Sequence, residues 1–114
     1  MPKQKLSPLP AAAFHILVSL VDEDLHGYEI MRRVEEQTGG RTRLGPGTLY
    51  SSIQALLEAG FIAEVAARDA GGDERRRYYR LTAIGRKASR DEAERMADLL
   101  RVARAKKILR GEYV

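Results

Sequence analysis

The chain has 114 residues, 44% hydrophobic and 32% charged, which is the range of one globular domain with a modest core. It has a net charge of +4, no cysteine and no tryptophan. Disulfides, thiolate metal sites and thiol chemistry are therefore excluded, and an anionic partner is allowed without being demanded. No run has the length of a membrane span, and the first residues lack the apolar core of a signal peptide. The expectation is a cytoplasmic protein without a membrane partner.

Residues 1–9 read as a loose tail carrying Lys3 and Lys5. Pro10 to Val21 reads as a first helix, with Phe14, Leu17, Val18 and Val21 as a stripe that Ile16 and Leu20 widen. A helix this apolar is expected to be covered on more than one side. Asp22-Glu23-Asp24 lacks the spacing of a cation loop and reads as a solvated turn. His26 to Thr38 reads as a second helix, with Tyr28, Ile30, Met31 and Val34 inward and Arg32, Arg33, Glu35 and Glu36 outward. His26 and Glu29 are three apart, so they share a helix face; a lone His-Glu pair is not a metal site. His15 lies on a different helix, and local structure is the expectation for both histidines.

Gly39-Gly40-Arg41-Thr42-Arg43 is a turn with two arginines. It leads into the most informative stretch, Leu44 to Ile62. Pro46 suits a helix start and Gly60 a helix end. Between them Leu49, Ile53, Leu56 and Leu57 form an apolar face. The opposite face, Gly47, Thr48, Ser51, Gln54, Ala55 and Glu58, is small, polar and almost uncharged. Such a face can lie in the DNA major groove, where Ser, Thr and Gln reach base edges. A plain surface helix is the competing reading. Helix, arginine turn and helix in succession form a helix-turn-helix.

Phe61 to Ala66 reads as a strand, residues 69–74 as a glycine-rich turn, and Arg75 to Leu81 as a returning strand. Arg75, Arg76 and Arg77 give this hairpin a cationic edge suited to phosphate. Thr82 is placed to cap the last helix, with Ile84 and Ala88 packing back on the domain. Met96, Leu99, Leu100, Ala103 and Ile108 extend an apolar stripe to about Arg110, roughly 40 Å of helix. So small a domain cannot cover that stripe, which is expected to meet a second subunit.

The fold class is therefore mainly α with a small β-hairpin. Residues 10–82 are expected to form a winged helix-turn-helix, 83–110 a C-terminal dimerisation helix, and 111–114 a loose tail. The residues also resemble the PadR family of bacterial transcriptional regulators. His26-Gly27-Tyr28-Glu29-Ile30 is similar to its second-helix motif. Gly47-Thr48-Leu49-Tyr50, with Leu56 and Gly60-Phe61-Ile62, resembles its recognition-helix motif. Arg77 to Gly85 resembles its junction from wing to last helix. Ser51 stands where many members have proline, which leaves an added hydroxyl on the outer face.

The resemblance implies a homodimeric regulator, usually a repressor, released from its operator by a ligand or signal, with no cofactor and no enzymatic activity. It is similar to the short subfamily with a single C-terminal helix. The expected DNA-binding residues are Arg41, Arg43, Thr48, Tyr50, Ser51, Gln54, Arg75, Arg76 and Arg77. The operator is expected to be an inverted repeat in double-stranded DNA. Phe14, Met96, Leu99, Leu100 and Ala103 are expected at the dimer interface. An apolar or aromatic effector could occupy a site there between Phe14, Met96 and Leu100, with a fully packed interface as the plainer alternative. Some drug-binding members carry tryptophan where Met96 stands, and a thioether offers no flat stacking platform. Outside this class, the competing function is a winged helix used only as a protein-interaction module.

Overall fold

The computed structural model describes residues 6, 8–66 and 77–109. Helix α1 (Ala11–Ser19) is followed by a short strand β1 (Leu25–His26), then α2 (Gly27–Gln37) and α3 (Pro46–Ala59). Strands β2 (Ile62–Val65) and β3 (Tyr78–Leu81) come next, and α4 (Ala83–Ala105) ends the order. The three strands form one antiparallel sheet with β3 in the centre, between β1 and β2. Ile62 faces Leu81 and Val65 faces Tyr78 on one side of β3; Leu25 faces Tyr79 on the other. The core is aliphatic, as the composition required. Ile16 and Leu17 of α1, Ile30 and Val34 of α2, and Leu49, Ile53 and Leu56 of α3 are buried together, joined by Leu25, Ile62 and Tyr79 of the sheet.

Each helix begins and ends for an identifiable reason. α1 is shorter than the expected span of Pro10 to Val21. Pro10 caps it from outside, and Leu20 and Val21 close it with tighter bonds to Leu17 and Val18 carbonyls at 3.1 and 3.2 Å. α2 opens on a capping box. His26 Nδ1 accepts from the Glu29 amide at 3.3 Å, and a Glu29 carboxylate oxygen accepts from the His26 amide at 3.0 Å. His26 and Glu29 are thus cap partners rather than neighbours on an outer face. At the far end Gly40 N–H donates to Glu35 O and Gly39 N–H to Glu36 O, at 2.8 and 3.2 Å. α3 ends the same way: Gly60, at φ 79°, donates to Leu57 O while Phe61 donates to Leu56 O. α4 repeats this closure without glycine. Lys107 takes φ 64°, and the Ile108 amide donates to Ala103 O. The helix therefore stops at Ala105, short of the expected Arg110; its 23 residues span about 35 Å.

Three further expectations are corrected. The acidic turn is not wholly solvated. The Asp24 side chain is only 10% exposed and takes two hydrogen bonds from Arg80, at 2.8 and 3.1 Å, which tie the turn to β3. Glu23 pairs with Arg33 at 2.7 Å. Tyr28 does not face inward: with Ile30 and Val34 buried, a residue two positions before Ile30 lies about 200° round the helix, and Tyr28 is 61% exposed. Ile84 is also 61% exposed. The inner face of α4 is made of the small residues Gly85 and Ser89, with Ala88 half-buried and Glu92 below.

Those small residues let α4 approach closely. A Cβ on Gly85 would stand 1.9 Å from the Phe61 carbonyl oxygen. Thr82 locks the junction: its hydroxyl donates to Gly60 O at 2.7 Å and accepts from the Gly85 amide at 3.0 Å. The end of α3 and the start of α4 are thereby fixed to each other.

Candidate nucleic-acid interface

The turn between α2 and α3 is built by Thr38. Its hydroxyl donates to Val34 O at 2.9 Å and accepts from the Thr42 amide at 3.0 Å. This fixes the chain before Arg43, so the direction in which α3 departs is set by hydrogen bonds. Gln37 donates to His15 O at 2.9 Å and ties the end of α2 to α1. α3 then starts on Gly45 and Pro46 with no side-chain cap. Its first turn has no side-chain cap hydrogen bond and lies at the positive end of the helix dipole.

Gly47, Thr48, Ser51, Gln54 and Glu58 are exposed along α3, while Leu49, Ile53 and Leu56 are buried beneath them. Ser51 donates to Thr48 O at 3.3 Å, and Gln54 donates to Glu58 at 3.2 Å. The Gln54 carboxamide is thus held with its oxygen available. Tyr50 stands at the edge, 53% exposed, with its hydroxyl 2.7 Å from where a Gly27 Cβ would be. α3 and the start of α2 meet through that ring. Next to it, Tyr28 is stacked on His26, whose ring meets Tyr78 of β3 edge-on at 5.3 Å. These ring contacts join the start of α2 to the hairpin. Tyr28 belongs to this outer surface, on the face opposite to the one expected of it. The periodicity of Ile30 and Val34 is the signal in the sequence that places it there.

Arg41 and Arg43 are exposed in the turn, and Arg43 pairs with Glu35 at 3.3 Å. Arg77 is exposed at the foot of β3 and pairs with Glu64 at 3.6 Å. Arg75 and Arg76 lie outside the described residues. Arg80, between β3 and the acidic turn, is engaged by Asp24, which holds its guanidinium pKa above the ordinary arginine value through hydrogen bonding.

Along α4 and just past its end, Leu99 and Leu100 are 61% and 51% exposed, Val102 49% and Ile108 77%. Met96 and Ala103 are half-buried. Phe14 is half-buried and packs against the core. Among the described residues no group of His, Cys, Asp and Glu could hold a metal ion, and no helix is long and apolar enough to cross a membrane.

A helix-turn-helix followed by a two-stranded wing and a long helix defines a winged-helix transcription regulator. Residues 16–91 match the transcriptional regulator PadR-like family, and the chain belongs to that family. It is 39% identical over 84 residues to an uncharacterised 37.1 kDa protein in a transposon of Streptomyces fradiae. It is 31% identical over 71 residues to an uncharacterised protein of Lysinibacillus sphaericus. The chain spans 22% of the first of these relatives and 64% of the second.

Among solved structures, it is similar to a transcriptional regulator from Clostridium thermocellum, at a TM-score of 0.72 and 29% identity over 82% of this chain and 87% of that one. A PadR family transcription regulator from Clostridium difficile shares the fold, at a TM-score of 0.74 and 23% identity over 84% of this chain and 97% of that one. Bacillus subtilis PadR in complex with operator DNA superposes at a TM-score of 0.63 and 25% identity, over 74% of this chain and 47% of that one. The family is one of transcriptional regulators rather than enzymes.

Proposed function

We propose that this chain is a sequence-specific DNA-binding regulator that acts in the cytoplasm as a homodimeric repressor. The observation that carries the reading is the exposed face of α3, polar and almost uncharged, above an uncapped helix start. A face meant only for solvent gains from lysine and glutamate; a face meant for a groove must shed them to approach base edges. In this reading Thr48, Ser51 and Gln54 read bases. Arg41, Arg43, Arg77 and the wing residues Arg75 and Arg76 hold phosphates, and Tyr28 and Tyr50 offer hydroxyls to the backbone beside α3. The similarity to a PadR bound to operator DNA supports the same reading.

Two copies joined through α4 would present two α3 helices to one side of a duplex, about 34 Å apart, on an inverted repeat. Release would come from a ligand or signal, with the neighbourhood of Phe14, Met96 and Leu100 as the effector region. The test is binding of the protein to the promoter of its own gene and to a scrambled duplex. Ser51→Ala and Gln54→Ala should each narrow the gap between the two by about 1–3 kcal/mol. Equal loss on both duplexes would remove base readout from this face.

A further inference from the structure

Two of the described arginines assigned to phosphate lie within ion-pair distance of carboxylates. Arg43 Nε lies 3.3 Å from a Glu35 oxygen, and Arg77 Nη1 lies 3.6 Å from a Glu64 oxygen. One pair sits where the turn enters α3 and the other at the foot of the hairpin. All four side chains are accessible. Arg43 and Arg77 are 77% and 70% exposed, Glu35 and Glu64 43% and 45%. Neither pair has a structural task comparable to that of Asp24, whose buried carboxylate anchors β3 through Arg80.

The position of Glu35 also runs against local preference. It lies in the last turn of α2, which holds Glu35 and Glu36 and no basic residue. That end of a helix dipole favours cations. Glu36 is compensated on its own helix by Arg32 and Arg33, at 3.9 and 3.7 Å, whereas Glu35 reaches across the turn to Arg43. Glu64 stands on the edge strand β2 opposite Tyr79, and its charge helps to raise the Tyr79 phenol pKa, after burial as the larger cause. An acid placed where the helix dipole disfavours it, with its partner across the turn, points to a function for Glu35.

We propose that Glu35 and Glu64 are carboxylate latches on Arg43 and Arg77, anionic stand-ins for DNA phosphate that a duplex must displace. The inference rests on the DNA-binding reading above and adds a regulation of the same surface. A carboxylate presents to a guanidinium the same kind of acceptor as a phosphate oxygen. While the latch is closed, the arginine contributes little net charge to a random encounter. Non-specific binding depends almost wholly on such charge. Specific binding adds base contacts from α3, which hold the duplex in place while phosphate replaces the carboxylate. The latches therefore weaken binding to random DNA proportionally more than they limit occupancy of a correct site. Being exposed pairs, they are weak and reversible.

The experiment measures binding of the full chain to a short duplex of scrambled sequence across a salt series, by fluorescence anisotropy. Glu35→Gln and Glu64→Gln should each tighten binding about two- to fivefold, the range of an exposed ion pair. Each should steepen the salt dependence by up to about 0.9 in the log-log slope. The gain from Glu35→Gln should disappear in an Arg43→Ala background, and that from Glu64→Gln in an Arg77→Ala background.

Unchanged or weaker binding of the glutamine variants overturns the latches while leaving the DNA-binding reading in place. Gains that persist in full without the arginines overturn them too, because the carboxylates would then act only through their general field. A wild-type chain with no salt-dependent affinity for any duplex would instead defeat the underlying reading.

Discussion

Gly85 has the least room for a side chain of the described glycines. Its missing side chain lets the start of α4 rest on the Phe61 carbonyl, and no rotamer change can make room against backbone. Gly85→Ala should cost about 3 kcal/mol or more by overpacking. That would lower the melting temperature by roughly 10 °C or more for a domain of this size. Gly27 is a useful contrast. The nearest atom to its would-be Cβ is the hydroxyl end of Tyr50, which can swing away, so Gly27→Ala should leave the fold nearly intact.

Glu92 is buried on α4, and hydrogen bonding from Arg95 holds its pKa below the ordinary glutamate value against the opposing effect of burial. The charge of Arg95 and a backbone hydrogen bond from Leu9 act in the same direction as that hydrogen bond. A folded-state pKa depressed below the unfolded one gives stability that is complete above the unfolded pKa and is lost as pH falls through the folded one. Wild type should therefore lose stability on acidification below the ordinary carboxylate range. Glu92→Gln should be less stable at neutral pH and flatter across that window. Urea midpoints of both proteins against pH check this.

At the scale of elements, the surface around α3 combines parts that were visible in the sequence with others that were not. The bounds of α3, its buried leucines and its uncharged face follow from a proline, a glycine and a period of about 3.6 residues. Strand β1 gave no such signal. Two residues cannot display an alternation, and the pairing of Leu25 and His26 with β3 depends on a partner more than 50 residues away. The expected arginine-rich edge is legible as composition, yet only Arg77 of its three residues is described, paired with Glu64. If the wing binds phosphate, replacing Arg75, Arg76 and Arg77 together by Ala should weaken operator and scrambled DNA alike. The salt slope should then flatten by roughly 0.9 for each phosphate that is no longer neutralised. An unaltered slope would take the wing out of the footprint.

At the scale of the whole molecule the outstanding demand is the apolar side of α4. Leu99, Leu100 and Val102 of α4, and Ile108 just past its end, are about half or more exposed, and Ile84, unexpectedly, adds to them near the start of the helix. None of the described elements covers this surface. Exposed apolar area of that kind marks an interface. The double substitution Leu99→Asp and Leu100→Asp would bury two unpaired carboxylates if a second copy packs there, and such charges are strongly destabilising. Light scattering should then show a monomer, with operator affinity lost at the same time. A wild-type monomer at micromolar concentration, or full operator affinity in a monomeric variant, would end the dimer model.

The sequence by itself determined the helices, their order, the aliphatic core and the family. Those properties are written in local periods, in glycine and proline positions, and in short motifs that need no distant partner. Tertiary structure alone decided which way Ile84 faces, that Asp24 anchors Arg80, and that Glu35 and Glu64 sit beside Arg43 and Arg77. Asp24 and Arg80 are 56 residues apart, and no periodicity couples them. Such pairings follow from how the elements pack, because an exposed side chain finds its partner only after the core has fixed the distances between helices and strands.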